Sequence, residues 1–386
     1  MKQLSCFSFL LFSYLMVTAQ VNVVFNVSDT SSTHLQDNIY LAGNFNNWNP
    51  KDSNYLLSKT TSGQYELKLS MNFGTYEFKY TRGNWNSVEC LANGADIENH
   101  LIRLFNDTII KVNIAGWKDD FAIVPSKKTA TAQVHILDTA FFIPQLNRFR
   151  RIWIYLPQGY EKNKKHYPVL YMHDGQNLFD EAASGFGEWG VDEILDSLMN
   201  AGKKDCIVVG IDNGPRRMNE YNPYAFGQYG EGEGDQYLAF LVHTLKPFID
   251  SAYRTLKSKE NTVIAGSSMG GLISYYASLQ HPEVFGKAGI FSPAFWTALP
   301  IKAVSDSLAG KLTGKLFFYM GELEGEAYLQ DMEDVLTIIG KKSPALIYTI
   351  TDPDGSHHEK AWRKWFAEFY NWILADGFNN VINTKD

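Results

Sequence analysis

Thr262-Val263-Ile264-Ala265-Gly266-Ser267-Ser268-Met269-Gly270-Gly271-Leu272-Ile273, followed by Ser274-Tyr275-Tyr276-Ala277-Ser278-Leu279-Gln280, is the stretch on which the reading of this 386-residue chain turns. A β-branched run leads in, and a helical pattern with Ala277 and Leu279 follows directly. Between them, Gly266-x-Ser268-x-Gly270 matches a nucleophile elbow, the tight strand-to-helix turn that presents a serine hydroxyl. Strand and helix backbones approach closely in such a turn, so both flanks need glycine. The serine then sits at a helix N-terminus, where free N–H groups and the dipole favour developing negative charge.

The same alternation extends outward from about residue 135. Strand-like runs at Val169–Met172, Cys206–Ile211, Thr262–Ala265, Ala288–Phe291, Leu316–Met320 and Leu346–Ile350 are separated by helical ones. Leu238, Leu241, Val242, Leu245, Phe248 and Ile249 recur at helical spacing, and Trp362, Trp365, Phe366, Phe369, Tyr370 and Ile373 share one face of a last helix that reads as core packing. Alternating strands and helices predict one doubly wound α/β domain over residues 135–386.

A serine at its ordinary pKa is a poor nucleophile and needs a base, which in turn needs an orienting carboxylate. In this arrangement the chain order is Ser, Asp/Glu, His. Leu316–Met320 runs out at Gly321-Glu322-Leu323-Glu324, and Leu346–Ile350 at Thr351-Asp352-Pro353-Asp354-Gly355-Ser356-His357-His358. Both loops fall at the C-terminal sheet edge, where α/β sites form. His357 is the candidate base, with His358 as competitor. Glu324 is the candidate acid, with Glu322, Glu326 and Asp331 as competitors. The oxyanion hole requires the Met269 N–H and a second donor from an earlier strand end. Val169–Met172 leads into His173-Asp174-Gly175-Gln176-Asn177, where Gly175 is expected to turn the chain and leave the Gln176 N–H free. His173 reads as a buried, hydrogen-bonded residue shaping that loop. No ligand spacing points to a metal, and no cofactor motif occurs.

Upstream, the texture differs. Residues 1–19 read as a secretory signal: Lys2, an apolar stretch from Cys6 to Val17, and a small-residue cleavage site ending at Ala19. Residues 20–117 show short alternating runs (Val21–Val27, Asn38–Ala42, Gln64–Leu69, Thr75–Tyr80, Thr108–Ile114) between Asn/Gly/Ser/Asp turns, which predicts an immunoglobulin-like β-sandwich. Residues 118–134, polar with Lys, Asp, Thr and Pro125, read as a linker. The formal charge is −7, from 35 Lys+Arg against 42 Asp+Glu, and no long basic block occurs, which argues against a nucleic-acid partner. Three Cys exclude a disulfide framework and a Cys-based zinc site, and Cys90 and Cys206 are expected to stay unpaired. No window after the signal supplies the roughly 18 uninterrupted apolar residues of a membrane span.

The catalytic half resembles the esterase D-like esterase family of the α/β-hydrolase superfamily, which includes feruloyl, acetyl-xylan and enterochelin esterases and mycolyltransferases. The resemblance covers about residues 135–375. It rests on Tyr171-Met-His-Asp-Gly-Gln-Asn-Leu-Phe179, Gly266-Ser-Ser-Met-Gly-Gly271, Gly321-x-x-Glu324 and Gly355-Ser-His357 with Trp362 five residues on. The family spacing selects His357 over His358 and Glu324 over Glu322, although many members carry Asp at the acid position. It also implies that Asp212, Asn213, Arg216 and Arg217, followed by Glu220-Tyr221-Asn222-Pro223, lie near the substrate pocket.

The N-terminal half is similar to early-set, glycogen-binding-like sandwich modules through Leu41-Ala-Gly-Asn-Phe-Asn-Asn-Trp48-Asn-Pro50, Tyr76-Glu-Phe-Lys79-Tyr80, Gly83-Asn-Trp85 and Glu98-Asn99. That similarity implies a sugar platform of Trp48, Trp85, Lys79 and Asn99. Exposed Trp beside Asn and Lys agrees with it in kind. The expected protein is therefore an exported serine esterase acting on feruloyl or acetyl esters of plant-type polysaccharide. The alternatives are a siderophore (enterochelin-type) esterase, an acyltransferase, or a non-catalytic carbohydrate-binding protein on a hydrolase scaffold.

Overall fold

The computed structural model describes residues 20–31, 33–46, 48–95, 97, 99–121 and 127–375, so the expected signal at 1–19 and positions 122–126 of the expected linker lie outside the described residues. The chain divides into two compact units, 1–122 and 123–386.

In the first unit, Val21, Val23, Phe25 and Val27 of strand Gln20–Asp29 are buried while their alternates are not, the period of a strand with one face on a core. That strand pairs antiparallel with Tyr65–Asn72 and parallel with Thr108–Ile114. With Ser58–Lys59 they make a four-stranded sheet, and Tyr40–Gly43, Gly74–Thr81 and His100–Leu104 make a three-stranded one. The inner faces share one core, in which Phe25 meets Phe78 edge-on at 5.4 Å. This is an all-β sandwich.

The second unit is built on eight strands: β1 (Val134–Ile143), β2 (Arg148–Tyr155), β3 (Val169–His173), β4 (Ile207–Ile211), β5 (Thr262–Ser267), β6 (Lys287–Phe291), β7 (Lys315–Gly321) and β8 (Leu346–Asp352). Their order in the sheet is β1-β2-β4-β3-β5-β6-β7-β8. β1 and β2 form an antiparallel hairpin that joins β4 antiparallel, and the remaining pairs are parallel. Alternate residues feed two cores. Val169 and Tyr171 face helices Met269–Gln280 and Glu326–Lys342, while Leu170 and Met172 face helices Val191–Asn200 and Glu359–Leu374. The doubly wound α/β sheet is thus present, with Trp362, Phe366, Phe369, Tyr370 and Ile373 buried in the second core.

Residues 129–131 of the segment read as linker pack onto this unit. The Thr129 N–H donates to Asp180 Oδ1 at 3.1 Å and the Thr131 N–H to Asp192 Oδ2 at 2.7 Å. Cys90 and Cys206 are buried, and neither forms a disulfide among the described residues. No helix among the described residues is long and apolar enough to cross a membrane.

Candidate active site

β5 ends at Ser267, and Ser268 turns the chain into helix Met269–Gln280 with φ 57° and ψ −120°. A side chain at positive φ costs of order 1–3 kcal/mol and persists only where its surroundings hold it. Here the Ser268 N–H donates to the Phe291 carbonyl at 2.9 Å, and the Ser268 carbonyl accepts from Leu272 at 3.0 Å and Ala294 at 3.1 Å. Ser268 is half-buried while residues 262–267 and 269–273 are buried, so the turn brings one hydroxyl out of an otherwise closed core.

Glu324 follows β7 in a short turn and is 3% exposed. Its Oε2 lies 2.6 Å from His357 Nδ1. Its Oε1 accepts from Ser292 Oγ at 2.6 Å and from the Gly321 N–H at 3.0 Å. Ser292, just past β6, accepts in turn from Trp362 Nε1 at 2.9 Å. His357 stands edge-on to the Trp362 ring at 5.2 Å. The tryptophan five residues after the histidine therefore reaches Glu324 through Ser292. The competitors are occupied otherwise. His358 caps the last helix, its Nδ1 accepting from the Lys360 N–H at 3.2 Å. Glu322 and Glu326 are exposed, and Asp331 pairs with Lys302 at 2.8 Å. Ser268, Glu324 and His357 stand at the C-terminal ends of β5, β7 and β8, on one edge of the sheet.

Met269 is the first residue of its helix, where an N–H has no intrahelical partner. Gln176 sits in the turn Gly175–Asn177 after β3. Neither N–H has a hydrogen-bond acceptor among the described residues. The two loops touch, since a Cβ built on Gly270 would meet His173 Cβ at 3.2 Å and Asp174 Oδ2 at 3.3 Å. The turn itself differs from expectation. Asp174, at φ 56°, takes the left-handed conformation. Gly175 is needed because a Cβ there would lie 2.8 Å from the Gly210 backbone. His173 is buried, with Nδ1 3.0 Å from Tyr237 Oη, and burial pushes its pKa down to about 3, so it stays neutral.

Asp174 pays for its placement with partners that were read from sequence as pocket residues. Arg217 binds it through Nε at 2.7 Å and Nη2 at 2.8 Å, and Asn213 Nδ2 adds a bond at 2.7 Å. Burial raises the Asp174 pKa, but the guanidinium and the amide outweigh it and hold the carboxyl below its ordinary range. Asp212 accepts from Arg151 Nε and Trp153 Nε1, each at 2.7 Å, and burial lifts it above the ordinary range despite them. Arg216 is half exposed and reaches Glu233 at 3.1 Å. Arg217, Asn213 and Asp212 are thus engaged in bonds that shape the loops. Sequence reasoning did not single out Ser292 or Glu359. Glu359 is 7% exposed, accepts from Asn177 Nδ2 at 3.1 Å, and is pushed up to about 7 by burial.

In the first unit, Trp48 and Trp85 come together with ring centroids 6.2 Å apart at 44°, and Trp85 is 40% exposed. Lys79 Nζ donates to the Ile97 carbonyl at 2.6 Å and Asn99 Nδ2 to Glu77 Oε2 at 2.9 Å. Elsewhere in that unit His34, Asp119 and Asp120 are close enough to share a cation, a cluster the sequence reading did not pick out. Arg82 already pairs with Asp119, and Thr33 Oγ1 donates to Asp120 at 2.7 Å.

Residues 143–370 match the family described as "Putative esterase". "Uncharacterized protein YbbA" of Bacillus subtilis is 28% identical over 247 residues, 58% of this chain and 93% of that protein. "Endo-1,4-beta-xylanase/feruloyl esterase" of Xylanibacter ruminicola is 28% identical over 235 residues, 60% of this chain but only 30% of that protein. Among solved structures, the enterobactin esterase FES of Shigella flexneri superposes with a TM-score of 0.53 at 15% identity, over 91% of this chain and 93% of that one.

Proposed function

From the premise that this chain belongs to the esterase family matched over residues 143–370 and is a carboxylic ester hydrolase, we propose that it hydrolyses feruloyl or acetyl esters of plant-type polysaccharide through an acyl-enzyme on Ser268. The observation that carries the catalytic part is the 2.6 Å contact between His357 Nδ1 and the buried Glu324, on the sheet edge that also presents Ser268. With Nδ1–H held by the carboxylate, Nε2 is the ring nitrogen that acts as base in this reading. His357 Nε2 takes the Ser268 proton as Oγ attacks the ester carbonyl carbon. The carbonyl oxygen becomes an oxyanion between the Met269 and Gln176 N–H groups. Collapse breaks the C–O bond, and the imidazolium returns its proton to the leaving alcohol. Water, deprotonated by the same imidazole, then attacks the acyl-enzyme and releases the acid and Ser268. Each oxyanion donor contributes about 3 kcal/mol to such a step.

What supports this substrate class is the similarity to the protein named a xylanase/feruloyl esterase and the sandwich unit, whose Trp48–Trp85 pair suits stacking on a sugar ring. Residues 1–19 act as an export signal in this reading, which brings the enzyme to a polymer outside the cell. A siderophore ester is the second reading, since FES, named an enterobactin esterase, shares its fold with 91% of this chain. The test is a panel of p-nitrophenyl acetate, methyl ferulate, acetylated xylan and enterobactin offered to the purified chain. Turnover of ferulate or acetylxylan, abolished in Ser268→Ala, is expected. Faster turnover of enterobactin would favour the second reading, and inertness toward every ester would refute both.

A further inference from the structure

The second oxyanion donor and the base reside on loops far apart in sequence: Gln176 follows β3 and His357 follows β8. A buried side-chain bond joins these loops, from Asn177 Nδ2 to Glu359 Oε1 at 3.1 Å across 182 residues. Asn177 is 6% exposed and Glu359 7%. Glu359 opens the last helix two residues after His357, in a turn that is itself tightly bonded. The His358 N–H donates to the Ser356 carbonyl, and the Ala361 and Trp362 N–H groups donate to the His358 carbonyl. The turn bearing Gln176 is framed in the same way. The Asn177 N–H donates to the Asp174 carbonyl at 2.8 Å, the Trp189 N–H to the Asn177 carbonyl at 2.8 Å, and the Asn213 N–H to Gln176 Oε1 at 3.1 Å.

A carboxyl group is an expensive choice for such a place. The nearby Arg217 guanidinium is taken bidentately by Asp174, so Glu359 is bonded to an amide where a buried carboxylate ordinarily takes a cation. An apolar residue would fill the space at lower cost, and it would leave the Asn177 amide N–H groups unsatisfied. What the carboxyl supplies is an acceptor that ties the two loops.

We propose that Glu359, acting through Asn177, is a positioning residue that fixes the Gln176 N–H relative to the His357 imidazole. The inference rests on the serine-hydrolase reading above. Glu359 touches neither substrate nor reacting atoms, and its effect is on the geometry of the transition state.

The test is steady-state kinetics on p-nitrophenyl acetate, with active sites counted by titration with an alkyl p-nitrophenyl phosphonate so that unfolded protein does not enter kcat. Removing an oxyanion donor outright lowers rates about 10²–10³-fold, so misplacing one in Glu359→Ala is expected to lower kcat about 10- to 100-fold with KM nearly unchanged. Glu359→Gln keeps an Oε1 acceptor and stays within about threefold of wild type. Asn177→Ala matches Glu359→Ala, and the double variant is no slower than either, because one bond is lost once. Should either alanine variant fail to fold, the reversed pair decides. Asn177→Asp sets two carboxyls against each other and is slow, and adding Glu359→Gln restores a donor and the rate. The proposal is overturned if Glu359→Gln is as slow as Glu359→Ala, if the alanine losses multiply, or if the reversed pair is no faster than Asn177→Asp. A wild-type chain inert to both ester and phosphonate would instead overturn the hydrolase reading, and this one with it.

Discussion

Ser292 offers the sharpest test of how the acid is held. Its hydroxyl makes two buried bonds, donating to Glu324 Oε1 at 2.6 Å and accepting from Trp362 Nε1 at 2.9 Å. The residue is 2% exposed and sits at φ 42°, so its backbone is strained while its side chain is fully used. Ser292→Ala removes a hydrogen bond to a charged group, about 1.5–3 kcal/mol, and orphans a buried indole N–H at about 1–3 kcal/mol. Glu324 keeps the Gly321 N–H on the same oxygen, at 3.0 Å, so the carboxylate remains in place with one tether fewer. If the lost tether acts wholly on the orientation of His357, kcat falls about 10- to 150-fold at one decade per 1.36 kcal/mol. Ser292→Gly loses the same bonds but relieves the positive φ, regaining roughly 1 kcal/mol of stability. The expected pattern is two variants with equal kcat and different urea midpoints, glycine above alanine, both with KM near wild type. Measured on p-nitrophenyl acetate beside urea unfolding, a glycine variant as fast as wild type would refute the claim that Ser292 orients the acid. A loss of rate that simply follows the loss of stability would refute it too.

Glu359, raised to about 7 by burial, binds its proton more tightly in the folded chain than at the ordinary value of 4.5. The folded state is therefore favoured fully below pH 4.5, and that advantage is lost as pH rises through 7. Glu359→Gln should be more stable than wild type by up to about 3 kcal/mol at pH 9 and no more stable at pH 4.5, read from urea unfolding at the two pH values; an equal gain at both would contradict the assignment. His357→Ala should lower kcat by about four orders or more, whereas His358→Ala removes a helix cap worth about 1 kcal/mol, visible in the melting temperature and not in the rate. Glu324→Ala should lower kcat about 10³- to 10⁴-fold while Glu322→Ala leaves it unchanged, and comparable losses would leave the acid misassigned. Trp85→Ala should abolish retention on insoluble glucan without changing kcat on p-nitrophenyl acetate; unchanged retention would remove the sugar platform from the account.

The parts of the fold legible in sequence are those whose pattern is set locally. β3 to β7 are buried on both faces and read as short apolar runs between turns; β8, the half-buried strand at the far edge, still reads as an apolar run that ends in a turn-rich loop. β1 and β2 were not read. β1 is an edge strand whose exposed and half-buried residues follow no clean alternation, and its pairing with β2 shifts register between Ile136 and Asp138 and again between Asp138 and Phe141. Those irregularities erase the period-two signal on which a strand is recognised. In the sandwich, His100–Leu104 was missed for a related reason. At five residues, with Leu101 and Arg103 exposed, it is defined by pairing with Gly74–Thr81.

The site divides along the same line. The Ser268 turn was legible because a positive-φ residue between a buried strand and a helix leaves a trace in its own flanking glycines. Glu324 and His357 were legible because strand ends can be counted once the strands are found. What escaped was every role that depends on which strand lies beside which. Ser292 meets Glu324 because β6 and β7 are neighbours in the sheet, pairing Phe291 with Tyr319. Arg217 meets Asp174 because the segment after β4 folds back over the end of β3. A sequence shows two arginines in a loop and a chemist assigns them to a ligand. The folded chain uses Arg217 to hold the loop after β3, because the buried Asp174 that turns that loop needs a positive charge beside it. Polar residues around a candidate active site are therefore first required by the scaffold, and a substrate contact can be assigned only to those whose donors and acceptors the scaffold leaves unused.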